Sequence, residues 1–474
     1  MAEEKNETSP TVEGDKTGQD IAAKDENEAK NEKTEGQKES ADEKKAEENG
    51  DGEKSKENGE EKPSPEPKDM RAIVLNGFGG LKSVKVLRKP EPALGEGEVL
   101  IRVKACGLNF QDLMARQGAI DSLPKTPFIM GVECAGDIEQ VGEGVENFKV
   151  GDRVVALPDH RAWAELVAVP ATSVFALPDG MSYLDATTIT MNYTVAYILL
   201  FELANLSPGK SLLVHSAGGG VGQAVVQLAK TVKDVVIFGV CSKSKHEALK
   251  EAGTIDHLLE RGPDYSAEVR KVSPEGVDIV LDCMCGEECN RGYALLKPMG
   301  KYILYGSSNL VTGETKSLFS AARSWWQVDK VSPPKLFDEN KSISGFNLRH
   351  LMHQHGGQGF VRQAVEKVYK LWADGKIKPV VDSTWALEDV PEAMQKMHDR
   401  KNIGKIVLDP SLEPKPKPAT PAKGKAKEKK AAIVDDKKAS SVESTDGDKK
   451  KEPELTNGTS EDKSDTDSKE KESS

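Results

Sequence analysis

Long hydrophobic runs are missing from this sequence of 474 residues. The longest apolar segment, Thr194 to Leu206, falls short of the roughly 20 residues that a membrane-spanning helix needs, and it carries Glu202. We therefore expect a helix inside the fold there, so any membrane association would be peripheral. A secretory signal is also missing, because Met1 is followed directly by acidic and basic residues. Membrane-spanning and secreted classes are thus not expected.

Cysteine is scarce, with six residues in the whole chain. They are scattered: Cys106, Cys134, Cys241, Cys283, Cys285 and Cys289. This usage predicts free thiols in a reducing compartment. The spacing of Cys283, Cys285 and Cys289 raises the alternative of a metal site. It differs from the spacing of a zinc knuckle, and Cys283 falls at the end of a predicted strand, so we expect no metal there.

Aromatic residues are absent from residues 1–68, which are dominated by Glu, Lys, Asp, Asn, Gly and Ser. Residues 411–474 have the same character, with alternating Pro and Lys at their start. Such segments bury too little apolar surface to offset the entropy lost on ordering, so both are predicted to be disordered tails. The remaining length, about 340 residues, favours two domains.

Positive charge is not in excess, since the formal net charge is −12. The lysine cluster at Lys423 to Lys430 is surrounded by acidic residues. A nucleic acid would be repelled as much as attracted, so we expect no nucleic-acid binding. The same lysines suit contact with anionic lipid better.

What is present is a segment from Ser211 to Val240 with the pattern of strand, glycine-rich turn, helix and strand. Glycines in such a turn let the backbone approach a pyrophosphate, and the amides of the first helical turn point at it. The predicted dinucleotide-binding residues are Ser216, Gly219, Gly220, Val221 and Gly222. The GxGxxG spacing is absent, and a tight turn without a ligand is the alternative.

The end of the second strand indicates which dinucleotide would bind. An NAD site usually has an Asp or Glu there to hold the ribose hydroxyls. This chain instead has Ser242, Lys243 and Lys245 among residues 241–245, with no acid. The segment therefore predicts a 2′-phosphate site and NADPH as the cofactor. The alternative is that the two lysines are solvated residues at the start of the next helix.

Short strands separated by glycine turns precede this unit, and strands alternating with helices follow it. The alternation predicts a doubly wound α/β fold with a parallel sheet and helices on both faces. Ligands bind beyond the carboxyl ends of such strands. Cys283, Gly306 and Ser307 follow two predicted strands, so we expect them near the cofactor.

Several short segments then carry a resemblance to a known family. They are residues 106–112 (CGLNFQD), 131–136 (GVECAG), 141–142 (VG), 151–154 (GDRV), 207–209 (SPG), 216–222 and 400–408. In order and content they resemble the medium-chain dehydrogenase/reductases. Within that family, they are most similar to the zinc-free quinone oxidoreductase branch. Residues 324–326 (SWW) and 377–379 (IKP) are similar to the VAT-1 homologs of synaptic vesicle membranes.

The resemblance implies a domain arrangement. A GroES-like domain over residues 69–195 is completed by residues 345–410, and a Rossmann-type dinucleotide-binding domain covers residues 196–344. Disordered tails at 1–68 and 411–474 flank them. Relatives commonly form homodimers, often through edge strands of the cofactor domain.

The resemblance also implies a chemistry. Zinc-dependent relatives have metal ligands where this chain has Asn109, Val132 and Met191, none of which is a good zinc ligand, so no metal is expected. Hydride transfer from NADPH is then limited to acceptors that are already electron-poor, such as quinones and unsaturated carbonyl compounds. Asn109 and Asp112 are expected beside the nicotinamide and substrate as catalytic residues. The alternative for Asn109 is a helix N-cap.

The sequence departs from the branch at two positions. Met114 stands where some members have a tyrosine proposed as a proton donor, and Glu260 stands near the position of a tyrosine that helps to hold the 2′-phosphate in the branch, where a carboxylate would repel phosphate. Met114 and the two tails favour a second hypothesis. The VAT-1 resemblance implies a cytoplasmic protein with peripheral contact to vesicles or the mitochondrial outer membrane. It also implies a weakly catalytic regulator that restrains mitochondrial fusion together with mitofusins. An ATPase has no support, because the sequence has no G-x-x-x-x-G-K-[S/T] loop.

Overall fold

The computed structural model describes residues 68–311 and 331–416. The predicted tails lie mostly outside these ranges, and so do residues 324–326. At the start of the second tail, the Lys415 N–H donates to Asp389 at 3.0 Å, and its ammonium lies 3.7 Å from the centre of the Trp385 ring. Lys415 therefore still packs on the fold that precedes it.

The strands of the described residues are numbered in chain order. They are β1 (Asp69–Leu75), β2 (Val84–Pro90), β3 (Glu98–Leu108), β4 (Phe128–Ile129), β5 (Cys134–Val141), β6 (Arg153–Ala156), β7 (Leu166–Pro170), β8 (Val174–Ala176), β9 (Ser211–His215), β10 (Val236–Cys241), β11 (His257–Glu260), β12 (Val277–Asp282), β13 (Leu296–Leu304), β14 (Ser342–Gly345), β15 (Val381–Ala386) and β16 (Lys405–Asp409).

The α-helices are numbered in the same way. They are α1 (Phe110–Arg116), α2 (Tyr183–Tyr197), α3 (Gly220–Ala229), α4 (His246–Glu251), α5 (Ser266–Val272), α6 (Glu287–Ala294), α7 (Pro333–Glu339), α8 (Leu348–His353), α9 (Gln358–Ala373) and α10 (Val390–His398). Single 3₁₀ turns occupy Leu81–Ser83, Ala171–Ser173, Lys243–Lys245, Ser308–Leu310 and Leu387–Asp389, and a π-helical turn occupies Ile198–Leu203. No helix of the described ranges is long and apolar enough to cross a membrane.

The β-rich part of the chain forms two sheets. One has the order β2-β1-β4, and the other has the order β15-β16-β3-β5-β6-β8, with β7 also paired to β3. In the middle of β3, Ile101, Val103 and Ala105 are buried, whereas Arg102 between the first two pairs with Glu139 at 2.7 Å. This alternation is the one expected for a strand with one face on the core.

The later part of the chain forms a six-stranded sheet in the order β11-β10-β9-β12-β13-β14, with all neighbouring strands parallel. Side chains of β9 alternate between two cores: Leu212 and Val214 pack with α3 and α9, and Leu213 packs with α5 and α6. Helices therefore cover both faces, as predicted. The strand order reverses between β9 and β12, and a ligand crevice forms at such a point.

The predicted fold class, a Rossmann-type doubly wound sheet with a β-rich GroES-like part, is confirmed. Pro298 and Gly300 lie inside β13, which begins at Leu296. The pairing with β12 jumps from Val277–Leu296 to Ile279–Lys301. The intervening residues therefore bulge out of the ladder, where proline and glycine are tolerated.

Candidate active site

The turn between β9 and α3 has the geometry of an anion-binding loop. Ser216 directly follows β9 and has a φ of 55°, and Gly219 precedes the helix in an extended conformation. A Cβ at Gly222 would lie 2.3 Å from the Ser216 carbonyl oxygen, so a side chain does not fit there. The amides of residues 220–222 belong to the first helical turn and have no acceptor in a preceding turn. They are available to an anion in the cleft above them.

This loop forms one wall of a cleft of about 460 Å³. Most of the predicted site residues meet there: Asn109, Ser216, Gly219, Gly220, Val221, Gly222, Ser242, Lys245, Gly306 and Ser307. Cys283 also lines it. Gly404, in the loop before β16, donates its N–H to the Gly218 carbonyl at 3.0 Å. The glycine turn and the last strand are thereby held together at the bottom of the cleft.

The prediction for Asp112 needs a correction, because Asp112 does not line the cleft. Its carboxylate folds back to the start of α1, where it accepts the Asn109 N–H at 2.8 Å. Only 1% of the residue is exposed, and burial raises the pKa of its carboxyl to about 7. Asp112 therefore orients α1 and Asn109 and does not face a substrate.

The prediction for Lys243 also needs a correction. Its side chain is 72% exposed and lies 3.9 Å from Glu260, and neither residue lines the cleft. Lys245 is the residue that turns inward, because the chain forms a 3₁₀ turn between the two lysines. Its ammonium donates to the Asn402 carbonyl at 2.5 Å. Burial lowers the pKa of Lys245 to about 8.

Two arginines that the sequence prediction did not include line the same end of the cleft. Arg400 donates to the Ser308 carbonyl at 3.3 Å, and Arg261 follows β11. Burial and repulsion from Arg261 lower the pKa of Arg400 to about 10. Arg261 also contributes to the lowered pKa of Lys245. Three cationic side chains thus converge beyond the end of β10, an arrangement that favours an anionic ligand.

A buried ion pair lies at the inner end of the cleft. The Lys405 ammonium donates to Glu133 Oε2 at 2.5 Å and to Asn109 Oδ1 at 2.6 Å. Glu133 also accepts the Asn109 amide at 3.2 Å and the Met191 N–H at 3.1 Å. Glu133 is fully buried and Lys405 is 2% exposed, yet Lys405 lines the cleft. Sequence reasoning missed both residues.

The rest of the cleft is largely apolar, with Phe110, Met114, Ile120, Val195 and Leu348 in its wall. These side chains suit a planar, poorly hydrated acceptor. Within the part of the chain that the structure describes, no three His, Cys, Asp or Glu side chains converge as a metal site would require. The donor set at the inner end is an amide, a carboxylate and an ammonium.

Comparison with known proteins gives two family matches. Residues 95–179 match the family described as "Alcohol dehydrogenase GroES-like domain", and residues 255–408 match the family described as "Zinc-binding dehydrogenase". The first match covers most of the β-rich part. The second match begins in the six-stranded sheet and ends in β16.

Individual proteins are similar over most of the chain. The human protein named synaptic vesicle membrane protein VAT-1 homolog-like is 56% identical over 349 residues, which are 74% of this chain and 83% of the relative. A solved structure of the human VAT-1 homolog-like protein has a TM-score of 0.65 at 50% identity, over 73% of this chain and 99% of the other. A mycobacterial protein solved in complex with NADPH has a TM-score of 0.63 at 26% identity, over 72% of this chain and all of the other.

Proposed function

The chain belongs to the medium-chain dehydrogenase/reductase family, among the VAT-1 homologs, and on this premise we propose that it transfers hydride from NADPH to a quinone or another electron-poor carbonyl compound. The observation that carries the proposal is a single cleft with three parts. The glycine turn, a group of cationic side chains and the Asn109 amide all line it. The family is one of oxidoreductases, and the choice of cofactor and acceptor is the proposed step.

The choice of NADPH rests on charge. The amides of residues 220–222 suit the pyrophosphate, and the 2′-phosphate would lie beyond β10, among Ser242, Lys245, Arg261 and Arg400. In this cluster an arginine and a lysine have lowered pKa values, so their positive charges lack full compensation. A dianionic phosphate relieves that repulsion, whereas the ribose hydroxyls of NADH do not. The NADPH complex of the mycobacterial relative supports the same choice.

When bound, the dihydronicotinamide would supply the hydride. Asn109 and Lys405 are the residues that could polarise the acceptor oxygen. Each keeps an N–H beyond those used within the ion-pair cluster, because an amide nitrogen has two hydrogens and an ammonium has three. Glu133 and Asp112 hold these donors in place, which limits reorganisation during the reaction. Phe110, Met114 and Leu348 would exclude water from the acceptor.

The test is a fluorescence titration of the full-length protein with NADPH and with NADH. We expect Arg261→Gln and Arg400→Gln each to weaken NADPH binding about tenfold to a hundredfold, the effect of losing a charged hydrogen bond. Binding of NADH should change little. Lys243→Gln is the matched control, because it removes a nearby cation that lies outside the cleft. Equal losses for both cofactors, or no NADPH binding by the parent protein, would rule out the proposal.

Quinone reduction is measured separately, as NADPH consumption with a simple benzoquinone acceptor. Tight NADPH binding without turnover would favour a second candidate function. In that case the protein is a weakly catalytic, VAT-1-like regulator at vesicle or mitochondrial outer membranes, with mitofusins as partners. Met114 in the cleft favours it, because a thioether cannot donate a proton. Co-precipitation of mitofusins with the full chain, and flotation with anionic vesicles, test this candidate.

We also propose that the protein is a homodimer through the edge strand β14. Among the described residues this strand pairs on one side only, with β13. Large apolar side chains are exposed on it and near it: Ile343 of the strand is 41% exposed, Met299 78% and Phe337 82%. An unpaired edge with apolar neighbours is suited to association with a second copy. Ile343→Lys should shift the mass measured by light scattering from dimer to monomer, and a monomeric parent protein would contradict the proposal.

A further inference from the structure

The loop between β12 and α6 and the first turn of α6 carry three cysteines, and one buried carboxylate anchors them. Asp282 accepts the Met284 N–H at 2.6 Å and His215 Nδ1 at 2.9 Å. It also accepts the Cys285 N–H at 3.3 Å and the Cys289 thiol at 3.4 Å. Cys285 precedes α6 and Cys289 lies in its first turn, and both are tied to the same carboxylate. The two cysteines, four residues apart, are thereby held beside the same carboxylate.

Cys285 and Cys289 meet at one atom, because the Cys285 N–H and the Cys289 thiol both donate to Asp282 Oδ2. Cys285 adopts a φ of 65°, a conformation that few residues other than glycine take. Asn309 holds it there by donating to the Cys285 carbonyl at 2.9 Å. Cys285 is partly exposed and Cys289 is buried. A small solvent-borne reagent would therefore reach Cys285 first.

The pKa values of the cysteines also favour Cys285 as the first residue to react. The hydrogen bond from Cys289 lowers the pKa of the Cys285 thiol to about 7, although burial opposes the shift. The same contact raises the pKa of Cys289. Burial raises the pKa of Cys106, Cys134, Cys241 and Cys283. Cys285 is thus the cysteine with the most thiolate at neutral pH, and thiolate is the form that oxidants attack.

We propose that Cys285 and Cys289 are a peroxide-sensitive dithiol, in which Cys285 is the attacked residue and Cys289 resolves it to a disulfide. The Cys285 thiolate attacks hydrogen peroxide, so that an S–O bond forms, the O–O bond breaks and the released hydroxide takes up a proton. The Cys289 thiol then loses its proton and attacks the sulfenic sulfur. An S–S bond forms, the S–O bond breaks and water leaves. The dithiol loses two electrons, and the peroxide is reduced to two waters.

The dithiol lies directly behind the cleft. Met284, between Cys283 and Cys285, accepts hydrogen bonds at its sulfur from Ser216, Ser308 and Arg400, at 3.5, 3.1 and 3.1 Å. All three donors line the cleft. A disulfide that repositions Cys285 would therefore act on residues beside the glycine turn. The proposal does not depend on NADPH, because the dithiol chemistry uses only the two thiols and peroxide.

The test treats the reduced full-length protein with hydrogen peroxide, blocks the remaining thiols and maps the peptides by mass spectrometry. The sequence makes the mapping unambiguous. Trypsin releases residues 272–291, which contain Cys283, Cys285 and Cys289 together. Cleavage after Glu287 or Glu288 then separates Cys289 from the other two. A peptide pair still joined after that cleavage, and released by dithiothreitol, identifies a bond to Cys289.

Variants assign the roles. In Cys289→Ser, dimedone should label a sulfenic acid on Cys285 about tenfold faster than on Cys241, since more thiolate is present but a more acidic thiol is a weaker nucleophile. Cys283→Ser is the control, and the bond between Cys285 and Cys289 should still form in it. A disulfide within the 283–285 fragment would overturn the proposal. So would oxidation of Cys285 no faster than Cys241, or a wild-type protein in which no joined pair survives.

Discussion

Each member of the buried ion pair should cost much free energy of unfolding when it is removed alone, and removal of both should cost less than the sum of the two single losses. In Lys405→Met the Glu133 carboxylate keeps only the Asn109 amide and the Met191 N–H as donors, in a fully buried position. An uncompensated buried charge of this kind costs about 3–5 kcal/mol. Glu133→Gln leaves the Lys405 ammonium, 2% exposed, with only neutral amide oxygens in place of a counter-charge, so we expect a cost of the same size.

The double variant Lys405→Met/Glu133→Gln removes both charges and should recover at least about 2 kcal/mol relative to the sum of the single variants. Urea unfolding followed by tryptophan fluorescence measures each free energy of unfolding. Trp163 is a suitable probe, because it is fully buried and its indole N–H donates to the Gly107 carbonyl at 3.1 Å, next to the ion pair.

An exposed pair in the same sheet serves as the control. Lys104 lies 3.9 Å from Asp137, and their side chains are 46% and 37% exposed. Lys104→Met should cost less than about 1 kcal/mol, because solvent screens the pair. Additive effects of Lys405→Met and Glu133→Gln would refute the reasoning. So would a loss from Lys405→Met no larger than that from Lys104→Met.

Three further predictions concern the cleft. Because the pKa of Lys245 is lowered to about 8, its positive charge is present below that pH and lost above it. NADPH affinity should therefore fall severalfold between pH 7 and pH 9. Lys245→Met should abolish that pH dependence, and an unchanged pH profile in the variant would contradict the assignment of Lys245 to the phosphate site. Gly222→Ala places a Cβ 2.3 Å from a carbonyl oxygen and should weaken NADPH binding at least about tenfold by calorimetry, the scale of 1.4 kcal/mol. Gly359→Ala in α9, where a Cβ meets nothing within 4 Å, should leave binding unchanged and add up to about 1 kcal/mol of stability. Met114→Tyr adds a proton donor to the cleft wall and should raise kcat for quinone reduction with little change in KM; a lower kcat with normal cofactor binding would show that the donor is not limiting.

Local sequence predicted the glycine turn and its neighbours well, because the information lies within one strand, one turn and one helix. Apolar runs, small residues and helical spacing over about 30 residues indicate a βαβ unit without reference to the rest of the chain. The fold class followed from alternating strands and helices for the same reason. Gly306 and Ser307 were predicted because they follow a strand whose carboxyl end faces the cofactor, whereas Asn109 was predicted from the family resemblance.

The cationic end of the cleft could not be read in this way. The sequence singled out Lys243 and Lys245 together, and only the 3₁₀ turn at Lys243–Lys245 decides that one is exposed and the other is buried. Arg261 and Arg400 are distant along the chain. They meet because β11 lies beside β10 in the sheet, and because Gly404 ties the loop before β16 to the glycine turn.

The sequence by itself therefore determined the class of fold, the glycine turn and the absence of good zinc ligands at three positions. The first two depend on residue type and short-range spacing, and the third depends on residue type at positions that the family resemblance identifies. Only the tertiary structure decided which charges face the cleft, that Asp112 caps a helix, and that Glu133 and Lys405 form a buried pair across 272 residues of chain. The physical reason is that burial and ion pairing depend on which strands become neighbours in the sheets. No local pattern in the chain specifies those neighbours.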